Sequence, residues 1–157
     1  MKTATKILSL VVLSLLPWGF AFAESPAATA FAELKSLQGE WKMKGADGKV
    51  TYEVRSAGHS LVETMDDMVT VYHLDGESIL MTHYCSAGNQ PRLRAVNFAS
   101  PLKSLDFHFV DGTNLQPGSP HINGLVIDFL SPDRVKESWT ANGQESKPTV
   151  IELERVK

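Results

Sequence analysis

One cysteine, Cys85, stands in the 157 residues, so no disulfide can form within the chain. Lone cysteines most often serve as small buried hydrophobes, and that is the role expected of it. No block of lysine and arginine occurs, and 15 basic against 18 acidic residues give a net charge of -3. Nucleic acid and an anionic membrane surface are therefore poor partners. There is no internal repeat, no low-complexity segment, no paired Cys or His at zinc spacing and no recognisable catalytic motif. The apolar run Ile7 to Leu16 stops at Pro17, short of the roughly 20 residues a membrane span needs.

That run reads instead as a leader. Lys2 and Lys6 precede it and Ala21-Phe22-Ala23 follows it, which is the charged, apolar and small-residue order of a secretory signal peptide cleaved before Glu24. No cysteine adjoins the junction to take a lipid anchor. The expected product, residues 24–157, is an exported and soluble domain, periplasmic where an outer membrane exists and secreted otherwise. Without Lys2 and Lys6 the basic count falls to 13 against 18 acidic, and the charge to -5. A domain of about 130 residues buries roughly two-thirds of its unfolded surface, enough to fold without metal or disulfide.

Ser25-Pro26 supplies an N-cap and a first-turn proline, Phe31, Leu34 and Leu37 recur at helical spacing, and Gly39 offers a stop. One short helix is expected there. From Trp41 onward the chain reads as short β-rich runs: Glu40 to Lys44, Lys49 to Ser56, Ser60 to Met65, Met68 to Leu74, Ser78 to Cys85, Arg92 to Phe98, Ser104 to Val110, Ile122 to Leu130, Arg134 to Thr140 and Thr149 to Val156. Asp47-Gly48, Asp66-Asp67, Asp75-Gly76 and Asn142-Gly143 fall between such runs and suit two-residue hairpin loops. Gaps this short leave no room for crossover helices, so the strands form an antiparallel meander. Ten strands with no other covering layer leave two open edges unless the sheet closes. The fold class is therefore all-β, a closed antiparallel up-and-down barrel of about ten strands with a short N-terminal helix. The one long loop is Asp111 to His121.

A short helix followed by Gly39-Glu40-Trp41 at the head of a meander resembles the Gly-x-Trp opening of lipocalins and the wider calycin group. The resemblance implies that a basic residue of the last strand covers the tryptophan, and Arg155 is placed to do so. The Thr-Asp-Tyr motif of true lipocalins is missing, and no helix follows the last strand. The segments Tyr72-His73-Leu74-Asp75-Gly76, Thr82-His83-Tyr84-Cys85 and Gly88-Asn89-Gln90-Pro91-Arg92 are similar to secreted bacterial lipocalin-like proteins, a group with no agreed activity.

Residues opposite one another in an antiparallel pair share a face. A turn at Asp66-Asp67 sets Glu63 against Thr70 and Leu61 against Tyr72. A turn at Asp75-Gly76 sets Tyr72 against Ile79, Thr70 against Met81 and Met68 against His83. One face then holds Leu61, Glu63, Met65, Met68, Thr70, Tyr72, Ile79, Met81, His83 and Cys85; the other holds Val62, Thr64, Val69, Val71, His73, Leu80, Thr82 and Tyr84. Flexible Met side chains with isolated polar groups suit a cavity wall, so the first face is assigned to the lumen. The ligand-binding candidates are Glu63, Tyr72, Met81, His83 and Cys85, joined from later strands by Arg92 or Arg94, Asn97, Glu137 and Trp139. Alternatively these polar groups satisfy one another and fix the core. Phe107, Phe109, Leu125, Ile127 and Phe129 read as packing.

No cofactor is expected. His83 and Cys85, two apart on one strand and so roughly 6.6 Å apart at Cα, form too small a set for a structural metal. Haem would need an axial ligand from His83, His108, His121 or Tyr72. Three functions remain open: a binding protein for a small apolar or amphipathic molecule, entered at the Asp111 to His121 end; a stress or assembly factor working through its outer surface; and a lyase- or isomerase-type enzyme using lumen Glu, His or Tyr. A connected cavity of about 300 Å³ or more favours the first, and a filled core the second.

Overall fold

The computed structural model describes residues 24–143 and 147–157; the expected leader, 1–23, lies outside the described residues. Helix α1 (Pro26–Lys35) starts at Ser25, whose Oγ accepts a hydrogen bond from the Ala28 amide at 3.2 Å. Ala27, Ala30, Phe31 and Leu34 bury one face of it. The helix ends at Ser36, before Gly39. Gly39 instead opens the first strand at φ +133°, where a Cβ would sit 3.1 Å from the Arg155 guanidinium.

Ten strands follow: β1 (Gly39–Met43), β2 (Lys49–Arg55), β3 (Ser60–Met65), β4 (Met68–Asp75), β5 (Ser78–Tyr84), β6 (Gln90–Ala95), β7 (Ser104–Thr113), β8 (Ile122–Ser131), β9 (Arg134–Ala141) and β10 (Thr149–Arg155). Each pairs antiparallel with its neighbour in sequence, and β1 pairs with β10, so the sheet closes into a barrel without a free edge. The seam sets Trp41 opposite Arg155 and Met43 opposite Leu153. Trp41 is fully buried and donates its indole N–H to the Leu37 carbonyl at 2.7 Å. The Arg155 guanidinium lies 4.3 Å over its ring and donates to the Ser36, Gln38 and Pro132 carbonyls. One arginine thus ties the helix exit, the seam and the β8–β9 turn together.

The hairpins refine the expected turns. Asp66-Asp67 turns as expected, with Asp66 at φ +54° and Met65 opposite Met68. The next turn is centred on Gly76-Glu77, not Asp75-Gly76, because Gly76 carries the positive φ and Asp75 pairs with Ser78. The β4–β5 register therefore moves by two: Tyr72 faces Met81 and Thr70 faces His83. A shift of two preserves the side-chain face, so the lumen assignment stands while the individual pairs do not. Asp47-Gly48 and Asn142-Gly143 are not two-residue loops. β1 and β2 are joined by 44–48, with positive φ at Gly45, and β9 and β10 by 142–148.

Interior positions carry Tyr52, Leu61, Tyr72, Ile79, Met81, Leu93, Phe107, Leu125 and Ile127, all under 2% exposed. Helix α1 packs on β2, β4 and β5 and adds Ala30, Phe31 and Leu34 to this core, closing the end at which β1 begins. The opposite end holds the 66–67 turn, the 85–89 turn and the loop 114–121. Phe109, expected in the core, lies beyond it near that end, 38% exposed with its ring 5.0 Å from His121.

Candidate functional site

Directly opposed residues place a polar row across four neighbouring strands: Tyr52 on β2, Glu63 on β3, Thr70 on β4 and His83 on β5. All four are buried. Each falls on an inward position of a strand whose alternate residues face water, so the row follows from the period of two. From the far wall β9 contributes Glu137, fully buried, and Trp139, 8% exposed.

The two carboxyls anchor a network through the lumen. The Tyr72 hydroxyl donates to Glu63 Oε2 at 2.5 Å. The Tyr52 hydroxyl crosses the barrel to donate to Glu137 Oε1, and Trp139 Nε1 donates to Glu137 Oε2 at 2.9 Å. Burial raises both carboxyls above the usual glutamate range, and the charge of Glu137 pushes Glu63 further up, well above it. Burial, then the charges of the two glutamates, likewise raises Tyr52 and Tyr72, which remain protonated donors. Two carboxyls sharing one dry space cannot both ionise freely, so the pair retains protons that exposed glutamates would release.

Above the network, at the end the helix leaves uncovered, lies a cavity of about 190 Å³. One wall is Met65, Met68, Thr70, His83 and Cys85; the other is Ile122, Trp139, Thr149 and Ile151, with Glu63 between them and the core. Among the described residues no lysine or arginine lines it. His83 Nδ1 shares a 2.9 Å hydrogen bond with Thr70 Oγ1, its ring lies 5.2 Å from that of Trp139, and burial lowers its pKa, so the imidazole is neutral near pH 7. His83 thus engages Thr70 and not Cys85, which gives no base–nucleophile pair. Cys85 is half-buried, just past the end of β5, and not the fully buried hydrophobe expected.

Glu63, His83, Cys85 and Trp139 share the cavity, while Tyr72 and Met81 lie in the packed core. Arg92 and Asn97 are elsewhere. Pro91, Leu93 and Ala95 take the inward positions of β6, so Arg92 and Arg94 point outward, to Asp111 (2.6 Å) and Asp75 (2.8 Å) respectively. β6 ends at Ala95, and Asn97 is exposed in the loop beyond it at φ +62°, a left-handed conformation asparagine tolerates. The haem-ligand candidates are dispersed: His108 is on the outside beside Asp106, and His121 is in the 114–121 loop bonded to the Ser119 carbonyl. Among the described residues no three His, Cys, Asp or Glu side chains are gathered to hold a metal ion.

Tyr52 escaped the sequence reading. Its inward position follows from Glu63 once β2–β3 register is known, but the connection runs through a 3-10 turn with Ser56 and Ala57 at φ +51° and +53°, neither a residue type that announces a left-handed turn. Chemically, the arrangement is a small apolar chamber with a proton-holding carboxyl at its floor. No family model matches the chain, and no curated protein matches it. The closed ten-stranded antiparallel barrel is consistent with the calycin-like barrel that the opening residues resemble.

Proposed function

We propose that this is an exported, lipocalin-like binding protein whose barrel mouth takes a small, largely apolar molecule. The observation that carries the reading is the chamber itself: connected space lined by methionine, isoleucine and tryptophan, with a few convergent polar groups, at the barrel end opposite helix α1. Its volume of about 190 Å³ falls short of the roughly 300 Å³ that would by size alone favour a ligand over a filled core, so the reading rests on the chamber's lining and is confined to a ligand of fragment size or one that inserts only one end. The helix-side half of the lumen is filled by side chains and serves as foundation.

Cys85 at the rim provides the test. A fragment library of apolar and amphipathic molecules is screened by thermal melting, and binders are then tested for protection of Cys85 against a thiol reagent. A true occupant raises Tm by mass action and slows labelling together. If no fragment changes either signal, the chamber is a packing defect and the outer-surface function takes precedence.

Export has its own expected result. Expressed with its leader in a Gram-negative host, the protein is released by osmotic shock, and its N-terminal sequence begins Glu24-Ser25-Pro26. Retention of residues 1–23 in the membrane fraction would overturn both the cleavage site and the periplasmic placement.

A further inference from the structure

Glu63 is 2% exposed and lines the chamber, yet only one of its oxygens is engaged. Oε2 takes the Tyr72 hydroxyl, whereas Oε1 accepts no hydrogen bond from any described residue. A ligand that brings a donor can reach that oxygen from the chamber and take the place of the proton Glu63 holds. The charge balance of the surroundings selects which donor. Glu63 stands at the floor with the Glu137 carboxyl near enough to act on it, no lysine or arginine among the described residues lines the walls, and His83 is neutral. An anionic head group, such as a fatty acid's, would be buried beside two carboxyls with no counter-ion to offset its charge. A cation would meet Glu63 directly, in a chamber whose walls also carry the Trp139 and neutral His83 rings.

We propose that the molecule this chamber recognises is a small organic cation, a primary amine on a short apolar body, whose ammonium group pairs with Glu63 while Met65, Met68, Ile122 and Ile151 enclose its chain. The inference rests on the binding reading above and names its ligand class. Pairing is an exchange: Glu63 gives up its proton to solvent as the ammonium arrives, so one positive charge enters the site and one leaves. Because burial and Glu137 hold Glu63 protonated above the usual range, that exchange couples affinity to pH. Acid favours the neutral carboxyl and opposes the amine.

Three probes of one chain length separate the possibilities: hexylamine, 1-hexanol and hexanoate, titrated calorimetrically into the mature protein. Hexylamine, whose pKa is near that of a lysine side chain, about 10.4, is cationic throughout pH 5 to 8. At pH 8 it is expected to bind at least tenfold tighter than hexanol, and hexanoate more weakly than either. Between pH 8 and pH 5 the amine loses at least tenfold in affinity while hexanol is unchanged. Buffers of different ionisation enthalpy register proton release for the amine alone. Glu63→Gln abolishes the amine's advantage but keeps hexanol binding, which shows that the variant is folded and its chamber open. Hexanol binding as tightly as the amine, binding without proton release, or an unchanged amine preference in Glu63→Gln would each overturn the cation assignment while leaving a binding chamber. Failure of all three probes would overturn the binding reading as well.

Discussion

Trp41→Ala is expected to destabilise the protein by roughly 3 to 5 kcal/mol, the range for removing a large buried aromatic side chain. Three losses coincide at this position. The indole is fully buried and packs edge-on against Tyr52, with centroids 6.3 Å apart, so truncation leaves a cavity between the helix end and the polar network. The Leu37 carbonyl loses its donor. Arg155 loses the ring beneath its guanidinium at the seam where β1 meets β10. β10 also supplies Thr149 and Ile151 to the chamber, so a loosened seam reaches the site as well as the core. Urea melts of the mature domain measure the effect; a loss under about 1 kcal/mol would show that closure does not depend on this residue.

How far the sequence reached is explained by which interactions are local. Alternation of apolar and polar residues and the Asp and Gly turns are short-range signals, and they placed all ten strands to within a few residues. Face assignment survived a turn misplaced by one residue, because the resulting register error was two and the side-chain period is also two. Arg92 failed on parity: its strand was read without a turn to fix the inward face, and Leu93 holds the inward position. Asn97 failed on a boundary, since β6 stops at Ala95. The Tyr52–Glu137 contact lies beyond any local signal. β2 and β9 are not neighbours, and only the closed barrel brings them across the lumen.

That cross-lumen network carries the second large effect, a stability that declines as pH rises over a range where many proteins are at their best. Glu63 and Glu137 keep their protons in the folded state above the pH at which the unfolded chain, with an ordinary glutamate pKa of about 4.3, releases them. In that window the folded state binds more protons, so its stability falls with rising pH until the folded carboxyls themselves ionise. His83 acts oppositely. Its pKa is lowered by burial, so below about 6.5 the unfolded chain takes up a proton that the folded chain does not, and stability rises with pH there. The lowered pKa of Glu152, caused by its hydrogen bond to Lys44, also favours the folded state above the ordinary glutamate range, but that pair is exposed and adds little. The double variant Glu63→Gln/Glu137→Gln removes the carboxyl titration while leaving His83 and Glu152 in place. Each amide still offers an oxygen to its tyrosine, while the amide nitrogen introduced at position 137 cannot accept from Trp139 Nε1, a loss that does not vary with pH. From about pH 4.5 to pH 8 its urea midpoint should gain steadily on that of the wild type, as the wild-type pair is forced to ionise in its dry site. A gap that stays constant from pH 4.5 to pH 8 would mean that these two carboxyls titrate as exposed glutamates do, and the chamber floor would then hold no proton for an incoming cation to displace.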